Sequence, residues 1–375
     1  MATSFVLLGM PMAAIGVAWP SAADDLGRPL ADLGLITFAY GAGYTVSTLA
    51  NGELTRRFTA GPLLVGAALA SSLSLAAFAL SSTWLLFLGA GFMLGLAGGA
   101  LDSGVNAYVA VHRGARAMGI VHTGFGIGST IGPLFVTALL ALGVSWRVAF
   151  GSLAVADLLL AIAFLATISA VEGNVGSIGH RPSIGGNRLV LGLSVAVFFL
   201  YAGVAAGTGA WTFSLFTEGR GISDGVAGIA VAGYWAGMTV ARIALGVFGD
   251  RVDPNRVLTL SGFATVASLA LVWLAPTPWL GIAGLVASGV SHGAVFPLEI
   301  LLTPRRFGAA FTPWAVGYEI AGANIGVALL SGSIGILVGR FGIEVVAPAL
   351  VVLAALFWVA IELLRTRSAE ALRVA

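Results

Sequence analysis

The chain has 375 residues, 58% of them hydrophobic and only 9% charged, with a mean hydropathy of +1.01 and a formal net charge of +2. A soluble domain carries about 25% charged residues, so this chain cannot cover a globule with polar surface, and lipid must be the solvent for much of it. Cysteine and lysine are absent and the four histidines (His112, His122, His180, His292) are scattered, which argues against disulfides, a metal site and a Gly-Lys-Ser/Thr nucleotide loop.

Twelve apolar segments are long enough, or nearly so, to cross roughly 30 Å of hydrocarbon as helices. The first, Ser4–Ala22, has no basic region before it and no small-residue cleavage site after it, so it reads as a span and not a signal peptide. The second, Leu33–Asn51, runs into "GELTRRF", and the third is Leu63–Leu80. The fourth, Trp84–Ala110, holds "GGALDSGVNAYVA", whose single charge is Asp102, with Asn106 four residues on and therefore on the same helix face. The fifth, Gly119–Leu142, opens with "GIVHTGFGIGSTIGP", and places His122 one turn inside the span. The sixth, Val148–Val171, carries Asp157 near mid-depth. "EGNVGSIGHRPSIGGNR" (Glu172–Arg188) is the longest polar, Gly-rich stretch and reads as a linker. It divides the chain into a six-helix unit 1–172, a linker 173–188 and a second six-helix unit 189–375.

The seventh span, Leu189–Phe216, contains Trp211. The eighth, Val226–Val247, contains Trp235 and Arg242 and runs into "GVFGDRVDPNR" (Gly246–Arg256). Arg242 precedes Asp250 by about two helical turns. After the ninth, Val257–Ala275, the tenth, Trp279–Leu302, brings Glu299 near Arg305 and Arg306. The eleventh, Ala310–Gly339, holds Glu319 and Asn324 in "GYEIAGANIG", and the twelfth is Val345–Leu364. Trp84, Trp146 and Trp279 sit at span ends, as interfacial belt residues do.

All eighteen basic residues are Arg. If the chain starts inside, thirteen of them fall on the cytoplasmic side and four in the outer loops, with Arg242 within a span. The positive-inside rule then places both termini in the cytoplasm. The Arg residues are spread along the chain and not patched, so nucleic acid is not an expected partner.

The two halves repeat. Tyr40, Ala42, Gly43, Thr45, Val46, Gly52 and Arg57 match Tyr234, Ala236, Gly237, Thr239, Val240, Gly246 and Arg251 at an offset of 234 − 40 = 194. The same offset pairs Gly95, Gly99 and Ala100 with Gly289, Gly293 and Ala294, and Gly128, Ile131 and Gly132 with Gly322, Ile325 and Gly326. An even number of spans per half makes this a parallel repeat, an architecture of transporters with the solute near the midplane between halves.

These residues resemble the major facilitator superfamily along essentially the whole chain. "GVFGDRVDPNR" is similar to its cytoplasmic loop motif, Gly-x-x-x-Asp-Arg followed by basic residues. The first-half copy keeps Gly52 and Arg57 but has Arg56 where Asp is usual. "GIVHTGFGIGSTIGP" is similar to the Gly/Pro pattern of helix 5 in the superfamily's antiporters, without the closing Gly pair. "GGALDSGVNAYVA", with its acid followed by small residues and Asn, and "WAGMTVARIALGVFGDR" most resemble the fucose-galactose-glucose symporter group. In proton-coupled sugar members an acid in helix 1 often helps with the substrate; here helix 1 has none before Asp24.

The resemblance implies an all-α fold of two six-helix bundles, with helices 4 and 7 lining a central cavity. A bare carboxylate in hydrocarbon must be paired, protonated or facing water. Asp102 is expected as the proton carrier, the alternative being a structural pair with Arg242 or Arg113. His122 and Glu319 are the rival proton groups, against packing roles at helix contacts. Asn106, Asn324, Trp211 and Trp235 are the expected substrate contacts, the tryptophans by stacking on a sugar ring. Gly52, Arg57, Arg242, Gly246, Asp250 and Arg251 are expected to form a gating or structural network, and Glu299 to pair and snorkel with its Arg neighbours. The expected function is a monomeric transporter of a small polar solute, a sugar, driven by protons through the cytoplasmic membrane, with no cofactor or enzyme activity. Alternatives are proton-antiport efflux of hydrophobic compounds and a transport-inactive sensor or partner subunit.

Overall fold

A computed structural model of the chain describes residues 1–57, 60–112, 115–167, 188–248, 251–308 and 311–374; within these, the side chains of 51–57, 60, 107, 110–112, 115–119, 313 and 370–374 are left aside. The linker segment 173–187, Arg113 and Asp250 lie outside the described residues, and so do the side chain of Arg57 and the surroundings of Gly52.

All twelve spans are helical. They are α1 (Ala2–Leu26), α2 (Leu33–Arg57), α3 (Ala60–Leu80), α4 (Trp84–His112), α5 (Ala115–Ala141) and α6 (Trp146–Ala166). The second set is α7 (Arg188–Gly219), α8 (Asp224–Phe248), α9 (Pro254–Leu274), α10 (Pro278–Phe307), α11 (Trp314–Phe341) and α12 (Val346–Val374). Wider π turns interrupt α7 at Leu215–Gly219 and α11 at Val327–Ser331, and α10 breaks at Ala294. Gly27 and Gly342 end α1 and α11 with positive φ, which any side chain would oppose. Ser145 and Asp253 cap α6 and α9 by accepting from Arg147 and Asn255 backbone N–H groups. Leu49, Leu73, Leu80, Leu85, Leu142, Ile162, Ile229 and Trp279 are exposed, a lipid-facing coat that water would not tolerate.

Within the first half α1 packs on α5, α2 on α4 and α3 on α6; the second half repeats this as α7 on α11, α8 on α10 and α9 on α12. The repeated glycines are the crossing points. A Cβ at Gly95 would strike the Tyr40 carbonyl, and one at Gly289 would strike that of Tyr234. Gly128 and Gly132 press on Val6 and Met10 of α1 as Gly322 and Gly326 press on Val195 and Phe199 of α7. Small residues at these points let helix backbones meet closely, which is how helices associate in lipid. The α1-to-α7 offset is 199 − 10 = 189, not 194. The five-residue difference falls between α7 and α8, where the π turn of α7 lies.

The halves touch through α1–α7, α2–α11 and α5–α8. Close approaches toward the end opposite the termini are Gly16 to Ala210, Gly34 to Gly332 and Gly335, and Gly228 to Thr137, while Gly41 to Ala328 and Gly126 to Thr239 lie nearer mid-depth. At the terminal end α4 and α10 make no comparable contact across the halves among the described residues.

Candidate functional site

The site begins with the α2–α4 pair. Gly95 and Gly99 bring α4 onto α2, so the next residue on that face, Asp102, meets the Tyr44 ring. Tyr44 Oη donates to Asp102 Oδ2 at 2.6 Å, and Asn106 Nδ2 donates to Oδ1 at 2.8 Å. Asp102 is half-buried, and among the described residues no Arg pairs with it. Asn106 keeps its own Oδ1 buried and without a donor. One turn along α2, Thr48 Oγ1 accepts from Asn324 Nδ2 of α11 at 3.4 Å. Asp102, Asn106, Tyr44, Thr48 and Asn324 thus form one polar group that reaches from the first half to the second.

Arg242 of α8 stands on the facing half. Its Nε donates to the Gly293 carbonyl and its Nη2 to Tyr201 Oη, both at 3.4 Å. Asp250, its expected partner two turns on, lies outside the described residues. His122 of α5 packs edge-on against Phe5, with ring centroids 5.4 Å apart. In the loop motif Gly246 faces open space and Arg251 is exposed.

Glu319 sits apart from both groups. Ser194 Oγ donates to its Oε1 at 2.5 Å, and Thr303 Oγ1 lies 3.1 and 3.0 Å from its two oxygens. Next to it Arg306 pairs with Glu299 at 2.6 Å. Glu319 and Glu299 are 0% and 1% exposed, so this network is sealed between α7, α10 and α11. Glu299 therefore pairs with Arg306 in the packed interior instead of snorkelling to a surface.

The tryptophans divide. Trp211 is fully buried and its indole N–H donates to the Ser331 carbonyl at 3.1 Å, tying α7 to α11. Trp235 packs over Gly209 of α7 and against Tyr234, and its buried N–H has no acceptor among the described residues. Trp279 is exposed, as a belt residue should be, but Trp146 is 1% exposed and donates to Asp25 Oδ2 at 2.8 Å. Its place at a span end is a tertiary contact, not a lipid contact. Asp157 accepts from the Ser71 hydroxyl across α3 and α6. Tyr44, Thr48, Ser194, Thr303 and Ser71 were not singled out from the sequence. Tyr44 alone carried a signal, lying one turn beyond the repeated Tyr40.

The family model for the Major Facilitator Superfamily matches residues 1–217 and again 193–374, the two halves in turn. The chain belongs to the Major Facilitator Superfamily. It is thus a multi-pass membrane transporter and not an enzyme. It is 21% identical over 345 residues to the glucose/mannose transporter GlcP of Bacillus subtilis, covering 88% of this chain and 85% of that protein. It is 23% identical over 298 residues to a glucose/galactose transporter of Brucella abortus, covering 73% and 72%. The superfamily transporter FucP, solved in its outward conformation, shares the fold with a TM-score of 0.67 at 16% identity, over 97% of each chain.

Proposed function

We propose that this transporter moves a sugar across the cytoplasmic membrane, coupled to protons, by alternating access of units 1–172 and 189–375. One observation carries the coupling: among the described residues Asp102, in a membrane-crossing helix, is held only by neutral donors, Tyr44 and Asn106. A buried acid with a fixed cation partner keeps its charge; one with neutral donors can take a proton without orphaning a counter-ion. Protonation would change what Tyr44 and Asn106 can donate to, and Thr48, one turn from Tyr44, holds the bond to Asn324 of the other half. The proton state is thereby linked to the contact between halves, which coupling requires. His122 and Glu319 are secondary. The sealing of Glu319 argues for a structural role.

Asn106 Oδ1, Asn324 and the Trp235 indole supply the solute contacts, having polar atoms that the fold leaves unbonded or weakly bonded. Trp211, already bonded, serves packing. Sugar as the solute is supported by the names of GlcP and the Brucella relative. The Arg bias supports cytoplasmic termini, and in that orientation the packed end faces outward and the described state is closed to the outside. The test is uptake of labelled glucose, galactose, mannose and fucose into proteoliposomes under an imposed inward proton gradient. Accumulation of at least one sugar, collapsed by a protonophore, is expected. No uptake of any of these sugars, or of a sugar acid, by monodisperse, reconstituted protein contradicts the reading.

A further inference from the structure

Arg242 is a guanidinium in a membrane-crossing helix, and among the described residues no carboxylate pairs with it. Its partners are the Gly293 carbonyl, Tyr201 Oη and Met238 Sδ, all neutral and all at 3.4 Å. Among the described residues it forms no ion pair. Across the boundary between halves, His122 of α5 is four residues from Gly126 as Arg242 of α8 is three from Thr239, the two residues at which these helices cross. Among the described residues neither His122 ring nitrogen is hydrogen-bonded, and the ring packs edge-on against Phe5. Both residues are half-buried. They flank a tight crossing, Gly126 of α5 against Thr239 of α8, about one turn from each.

A cation in a low-dielectric site is costly unless paired, and the ionisable residue of α5 one turn from the same crossing is a histidine. The guanidinium offers a planar fork of donors that matches a carboxylate in two bonds. A carboxylate brings one charge and two acceptor oxygens, enough for the fork on one side and a ring N–H on the other. A phosphate dianion would bring a second charge, for which only His122 is at hand. We infer that Arg242 and His122 form a seat for the carboxylate of an anionic solute, a hexuronate-type sugar acid gripped by both halves at once. The inference rests on the sugar reading above and narrows it. It also gives Arg242 a solute-binding role in place of the gating pair with Asp250.

The test compares D-glucuronate with D-glucose, which differ only at the carbon that bears the carboxylate, in uptake by the full-length protein in proteoliposomes. Saturable glucuronate uptake is expected, with a half-saturation concentration raised at least tenfold by Arg242→Gln, less by Arg242→Lys, and severalfold by His122→Phe. Each variant is first shown to be monodisperse. His122→Phe and Arg242→Lys keep the test open if Arg242→Gln does not fold. Glucose uptake without glucuronate uptake overturns this inference and leaves the sugar reading standing. Glucuronate uptake indifferent to Arg242→Gln and His122→Phe overturns the seat. Uptake of neither by folded protein overturns both.

Discussion

Asp102 and Asp157 are both carboxylates in apolar helices, and their surroundings assign them different work. Asp102 lies on α4 against α2, bonded to Tyr44 and Asn106. Asp157 is 4% exposed between the outer pair α3 and α6, and accepts from Ser71. An interhelical hydrogen bond in a membrane contributes on the order of 0.6 kcal/mol. Ser71→Ala is therefore expected to lower the melting temperature by about one degree, and Asp157→Asn by less, since an amide oxygen still accepts. Neither should change transport by stably folded protein. Loss of transport in Asp157→Asn at normal melting temperature would contradict the structural role. The sequence made both acids legible because each is an isolated charge in a long apolar run. Their partners were not legible: Ser71 and Tyr44 are ordinary members of such spans, and only the crossing of helices far apart in sequence makes them donors. The same holds for Trp146, whose bond to Asp25 spans α1 and α6.

At the scale of elements, glycine spacing encodes the helix pairing. Gly128 touches the Val6 carbonyl, whereas a Cβ at Gly66 of α3 would meet nothing within 4 Å. Gly128→Val forces α1 and α5 apart, and overpacking of this kind costs about 1–3 kcal/mol. A fluorescent fusion of Gly128→Val should show a sharply reduced monodisperse peak, and Gly66→Val a normal one. Equal peaks would contradict the crossing. The repeat offset was readable from these glycines in α2, α4 and α5. The shorter offset of α1 and α7 was not, because the extra residues alter neither the number of spans nor their apolar character. The break of α10 at Ala294 is hidden for the same reason.

For the whole molecule, the account requires that the end opposite the termini opens and closes. Ala31, just before α2, and Gly339 of α11 meet there, and a Cβ on Gly339 would stand 3.5 Å from that of Ala31. That spacing suits a disulfide, and the chain has no cysteine of its own. Oxidised Ala31→Cys/Gly339→Cys protein should lose transport and regain it on reduction. Full transport while cross-linked would contradict movement at this end. The twelve spans and their two-fold repeat were legible in the sequence because lipid demands long apolar helices. Which end is closed was not, because the same small residues permit both arrangements.

The most direct test of proton coupling compares wild type with Asp102→Asn in proteoliposomes, measuring uphill uptake under a proton gradient and equilibrium exchange of the same sugar. The account predicts that the variant loses uphill uptake, by tenfold or more, and keeps exchange. Equal uphill uptake by both proteins would contradict it and take the proton away from Asp102.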